Sequence, residues 1–86
     1  MVMAVVLVNV RADETDNVAS ALADIDGVSE VFSVAGNFDL VAVLRVPDNE
    51  ALADLVTTRI RKVAGIARTE TLIAFRAYSS KERALF

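Results

Sequence analysis

Ile25-Asp26-Gly27-Val28 and Val63-Ala64-Gly65-Ile66 share one pattern: a β-branched apolar residue, one spacer, a glycine and a second β-branched residue. A shift of 38 residues lays one on the other, and the same shift lays the apolar run 2–8 on the apolar run 40–46. Each half of the chain therefore reads as strand, helix, glycine, strand, a βαβ unit used twice.

Outward from the first glycine, residues 13–26 place Val18, Leu22 and Ile25 at i, i+4 and i+7, with Ala19 and Ala21 between them and Asp13, Thr15 or Asp16 available as a cap. This spacing predicts an amphipathic helix. Residues 2–10 before it are apolar on both alternating faces until Asn9, as expected of a central strand covered on both sides. Residues 28–35 alternate as a second strand, and Gly36-Asn37 carries the signal of a two-residue hairpin turn. The third strand runs over 38–46 and stops at Pro47. Asp48 or Asn49 then opens a second helix with Leu52, Leu55, Val56, Ile60 and Val63 on one face. Residues 66–78 read as the fourth strand, closing a single domain over 1–78, and 79–86 form a short tail with charges at Lys81, Glu82 and Arg83.

Two right-handed βαβ units joined by a hairpin interleave into one antiparallel sheet of order 4-1-3-2 with both helices on one face, the α+β ferredoxin-like plait. Strand 1 is then internal, as its apolarity requires. The helices cover one face only. Whichever register holds, the other face carries Val, Leu, Ala and Met from strands 1 and 3, so a face-to-face homodimer is expected.

Composition narrows the chemistry. Of the 86 residues, 55% are hydrophobic, and none is cysteine or histidine, which excludes disulfide staples, thiolate or imidazole metal sites and Cys or His nucleophile–base pairs. A metal and a cofactor are both unexpected. Twelve acidic against nine basic residues give net −3, which argues against direct contact with nucleic acid. The apolar opening is interrupted by Asn9 and Arg11 and lacks a small-residue cleavage site, so neither a membrane span nor a signal peptide is expected and the location is read as cytoplasmic.

Most carboxylates fall at helix starts, turns and outer faces, and no acid–base pair is visible. Asp39 differs, because it follows the turn between Phe38 and Leu40 in an otherwise apolar strand. It reads either as a turn-capping carboxylate or, with the backbone of Gly36-Asn37-Phe38, as a clasp for the amino and carboxylate ends of a small zwitterion. Thr69 and Thr71 share one face of strand 4, either as ordinary strand formers or as a pair of hydroxyl ligands. Arg59, Arg61, Lys62 and Arg68 complement the C-terminal end of the second helix.

The segment Val28-Ser29-Glu30-Val31-Phe32-Ser33-Val34-Ala35-Gly36-Asn37-Phe38-Asp39-Leu40, followed by Gly65-Ile66-Ala67-Arg68-Thr69-Glu70-Thr71, closely resembles the effector-binding (RAM) domain of leucine-responsive/AsnC-type (Lrp/AsnC) transcriptional regulators. The resemblance covers residues 2–78. It implies a dimer packed sheet to sheet, assembled further into rings such as a tetramer of dimers (an octamer), with an amino acid or related small effector bound between dimers. Carried over by position, Gly36, Asn37, Phe38 and Asp39 line that pocket, Asp39 receives the ligand's amino group, and Thr69 and Thr71 add hydroxyls. Full regulators of the family carry an N-terminal helix-turn-helix, whereas this sequence opens on strand 1. The resemblance therefore implies a stand-alone sensor, acting without direct DNA contact and associating with full-length family regulators.

The expected role is a non-enzymatic, amino-acid-binding module linked to transcriptional control. The alternative is a dimeric plait enzyme of the small monooxygenase type, which would need a roomy cleft between helices and sheet. Here Val, Leu and Ile on both sides predict a closed one. An ACT-like regulatory domain shares the fold and the ligand class, but belongs to larger enzymes.

Overall fold

A computed structural model of the chain describes residues 1–80, so Lys81, Glu82, Arg83 and the rest of the expected tail beyond Ser80 lie outside the described residues. The elements are β1 (Val2–Val10), α1 (Thr15–Ala23), β2 (Val28–Ser33), β3 (Leu40–Val46), α2 (Asn49–Asp54) continuing into a π-helical segment (Leu55–Ile60), and β4 (Ile66–Ile73). The strands form one antiparallel sheet in the order β2-β3-β1-β4, the expected plait.

Register explains the burial. Ala4, Val6 and Val8 of β1 pair with Leu44, Ala42 and Leu40 of β3, and all six are fully buried against Val18 and Leu22 of α1 and Leu52, Leu55 and Ile60 of the second helix. The alternate set, Met3, Val5 and Leu7 with Val41 and Val43, points to the open face, joined there by Phe32 from β2 and Leu72 from β4.

Several boundaries differ from the sequence reading. Helix α1 is shorter than 13–26 because Asp13 adopts φ 66°, outside helical space, and none of Asp13, Thr15 and Asp16 caps it. Glu14 stands at the cap position instead, and its Oε2 accepts from Asn17 Nδ2 at 2.9 Å. Asp48 does cap α2, its Oδ1 accepting from the Ala51 N–H at 2.8 Å. Asp48→Ala is therefore expected to cost about 1 kcal/mol, a fall of roughly 4–8 °C in the thermal midpoint for a domain of this size; an unchanged midpoint by calorimetry would refute the assignment.

The helix widens after Asp54. Val56, Thr57 and Thr58 are β-branched, and the Thr57 hydroxyl donates to the Ala53 carbonyl at 2.6 Å, competing with the backbone ladder. The Arg61 N–H then reaches the Val56 carbonyl, an i→i−5 bond of 3.3 Å.

Strand β4 stops at Ile73 and not at Tyr78. It lies at the sheet edge with β1 as its single neighbour: the Ala74 N–H still donates to the Met3 carbonyl, and among the described residues the ladder goes no further.

Candidate functional site

The turn between β2 and β3 is not a two-residue hairpin. A type I′ turn needs positive φ at both central residues, and of Gly36 and Asn37 only Gly36, at φ 133°, has it. The loop instead spans residues 34–39 and closes by the Val34 N–H donating to the Asp39 carbonyl at 3.0 Å. Gly36 has open space around it, so what its position demands is conformation and not room.

Three further bonds tie this loop to the end of β1. The Asp39 N–H donates to the Val8 carbonyl at 2.9 Å, Asp39 Oδ2 accepts from the Val10 N–H at 2.9 Å, and Asn9 Nδ2 donates to the Asn37 carbonyl at 2.9 Å. The Asp39 carboxylate thus ties the loop to β1 and, among the described residues, caps no backbone group of the turn itself. This leaves Oδ1 unused among the described residues, on a half-buried side chain whose position is fixed from two directions. Phe38 beside it is half-buried, and Gly36 and Asn37 are exposed. Sequence reasoning did not identify Asn9, whose side chain anchors the loop; its one signal was a polar residue ending an apolar strand.

Thr69 and Thr71 pair with Val8 and Val6, so both lie on the helix side of the sheet. Thr69 is level with Leu40 but separated from it by β1, about 10 Å for two strand spacings. Within one chain the loop and the threonines are therefore not in contact range of a single small ligand's ends unless the ligand crosses β1 or a second copy contributes.

Thr71 belongs instead to a groove of about 490 Å³ between the second helix and β4, lined by Asn49, Leu52, Ala53, Val56, Thr57, Ile73 and Phe75. The centre of the helix–sheet interface is packed solid, as expected, but this margin is open, which corrects the expectation of a closed cleft. Edge strand β4 outruns the helical cover, and Ile73, on the helix side, is still half exposed. Among the described residues, no acid or base lines the groove, whose polar members are Asn49, Thr57 and Thr71. Among the described residues no three acidic side chains gather as a metal cage, and no helix is long and apolar enough to cross a membrane.

A family model described as the Lrp/AsnC ligand binding domain matches residues 3–84. The chain belongs to the Lrp/AsnC family. A crystal structure of TTHA0845 from Thermus thermophilus is 46% identical, with a TM-score of 0.86 over 92% of this chain and 99% of that one. The feast or famine regulatory protein Rv3291c of M. tuberculosis, solved with L-methionine, is 32% identical with a TM-score of 0.74, over 95% of this chain and 56% of that one. The uncharacterized HTH-type transcriptional regulator PH1916 of Pyrococcus horikoshii is 36% identical over 58 residues, 67% of this chain and 39% of the relative. The chain thus spans well under two thirds of the regulators it matches. Within the Lrp/AsnC family, the part it shares with them is the ligand-binding domain.

Proposed function

We propose that this Lrp/AsnC domain binds an amino acid or related small effector and passes its occupancy to transcriptional control through assembly, without itself contacting DNA. The observation that carries this reading is the fixed Asp39 carboxylate at a loop whose backbone is partly exposed. Oδ2 is held by Val10, and Oδ1 is free to accept an ammonium group. Gly36 and Asn37, both exposed residues, offer backbone N–H groups for the ligand's carboxylate, and Thr69 and Thr71 supply hydroxyls from the strand beyond. The methionine bound by Rv3291c supports the ligand class. A net charge of −3 supports a sensing role for these residues over a DNA-binding one.

The apolar open face supports a dimer packed sheet on sheet, and dimers assembled further, up to a tetramer of dimers, would bring loops of different copies together and resolve the separation between Asp39 and the threonines. Association with full-length family regulators follows from the same surfaces. Named relatives are transcriptional regulators, and among the described residues no acid or base lines the groove, which favours a non-enzymatic, cytoplasmic role.

A thermal-shift panel of the twenty amino acids tests this. A ligand at 100 times its dissociation constant adds about 2.7 kcal/mol, on the order of 10 °C here. Asp39→Asn should abolish the shift, because the amide still accepts from Val10 but carries no charge, while the ligand-free midpoint stays close to that of the parent. A shift retained in full by Asp39→Asn would remove the residue from the site, and no shift with any amino acid would sink the reading.

A further inference from the structure

We infer that the groove between α2 and β4 receives the C-terminal arm of a second copy of this chain, residues 74–80, with Phe75 or Tyr78 of each copy entering the groove of the other. The groove's lining is uncharged: Leu52, Ala53, Val56 and Ile73 dominate it, with Asn49, Thr57 and Thr71 as its polar members. A free amino acid would have to strip water from two charges there without a partner for either, whereas an aromatic ring needs only apolar walls and a few edge contacts.

The arm supplies such rings and does not use them at home. Among the described residues no strand ladder is recorded for residues 75–78, and Phe75 and Tyr78 are 97% and 85% exposed, two large aromatics three positions apart in a chain that is otherwise economical with them. Phe75 is one of the residues lining its own groove yet stays almost fully exposed, so its ring leaves that cavity unfilled.

Charge is matched as well. Asp48 and Glu50 stand exposed on either side of the groove-lining Asn49 at the start of α2, and the arm brings Arg76, which makes no ion pair among the described residues. In sequence the arm continues with Lys81 and Arg83 against Glu82. Reach is sufficient. Seven extended residues span up to about 23 Å, and two sheets packed face to face lie about 10 Å apart, so an arm from a copy on the open face can round the β4 edge to the helix side. The exchange is reciprocal under a two-fold axis. It rests on the reading that the open face self-associates and uses none of residues 36–39 of the effector loop, while Thr71, which the effector reading also invokes, lines the groove.

The absence of native cysteine makes the test direct. Ala53→Cys in the groove and Ala77→Cys on the arm are made as separate proteins, mixed and mildly oxidised. Docking raises the local thiol concentration towards the millimolar range, so the mixed disulfide is expected at least about tenfold faster than that of Ala53→Cys with Ala23→Cys, an exposed position on α1. Removing the rings (Phe75→Ser with Tyr78→Ser, in the Ala77→Cys protein) should bring the rate down to that control. A rate equal to the control at the outset, a preference that survives loss of both rings, or a disulfide closing within one chain of the Ala53→Cys/Ala77→Cys double variant would each overturn the proposal. Light scattering of the unmodified protein distinguishes failures: an oligomer without the preferred cross-link leaves the open-face reading standing and removes the arm, and a monomer removes both.

Discussion

Val5→Lys is expected to dissociate the protein into 9.2 kDa monomers at concentrations where the parent is oligomeric. Val5 sits at the middle of the open face, paired with Val43 of β3 on one side and Leu72 of β4 on the other, among Met3, Leu7, Phe32 and Val41. Val43 is already down to 9% exposed within one chain, while Phe32 and Leu72 on the same face are about half exposed and await cover. A two-fold contact would bury two such lysines without counter-charges, each costing several kcal/mol, and every 1.4 kcal/mol or so weakens association about tenfold. Because Val5 faces away from the helix-side core, the monomer should keep its helical and strand content by circular dichroism. Sedimentation that shows Val5→Lys at the parent's mass would eliminate this face as the interface. The alternative interface would then be a sheet edge, β2 or β4, where association proceeds by ladder bonds and tolerates a lysine on the face.

Gly65→Ala is expected to lower the thermal midpoint by on the order of 10–20 °C, taking about 4–8 °C per kcal/mol. Two costs combine. Gly65 has φ 98°, where a non-glycine residue is strained by about 1–3 kcal/mol. A Cβ there would also stand 2.8 Å from Val18 Cγ2 and 3.1 Å from Glu14 Cβ, and overpacking of this kind adds about 1–3 kcal/mol. Val18 is fully buried and has nowhere to retreat. Gly36→Ala is the matched control: its φ is also positive, at 133°, but nothing lies within 4 Å of the added carbon. Calorimetry should show the smaller fall for Gly36→Ala. Equal falls would mean that backbone strain alone sets both, and that the close approach of β4's leading glycine to α1 is relieved at no cost.

What the sequence discloses here is whatever depends on periodicity. The apolarity of residues 2–8 and of 40–46, interrupted only at Arg45, located β1 and β3 at the sheet centre, and the repeated glycines marked where each helix ends. What depends on a partner strand is not local and was misread: residues 74–78 have strand composition, yet among the described residues the pairing with β1 ends at the bond from the Ala74 N–H to the Met3 carbonyl, although Val2 and Met3 still belong to β1. The π-helical segment escaped for a related reason, since Val56, Thr57 and Thr58 keep an acceptable helical face while the Thr57 hydroxyl redirects the ladder. At the candidate site, the Gly-Asn-Phe-Asp signature identified the loop, but dipeptide chemistry favoured a hairpin too tight for it. The loop's length is set by Asn9, Val8 and Val10, residues nearly thirty positions earlier. Thr69 and Thr71 were correctly read as sharing a face, while which face that is followed only from their pairing with Val8 and Val6.

Gly27 packs against Leu55, which belongs to the second βαβ unit, and Gly65 packs against Val18 and Glu14, which belong to the first. Each repeat's punctuation mark is thus read by the other repeat's helix. Duplication of a half-length ancestor would have produced this reciprocity at once, because two separate halves meeting as a homodimer would present the same pair of contacts. In this chain neither half has a complete hydrophobic seat without the other, so a backbone break within the exposed residues 34–37 should yield two fragments that are individually unfolded yet reassemble on mixing.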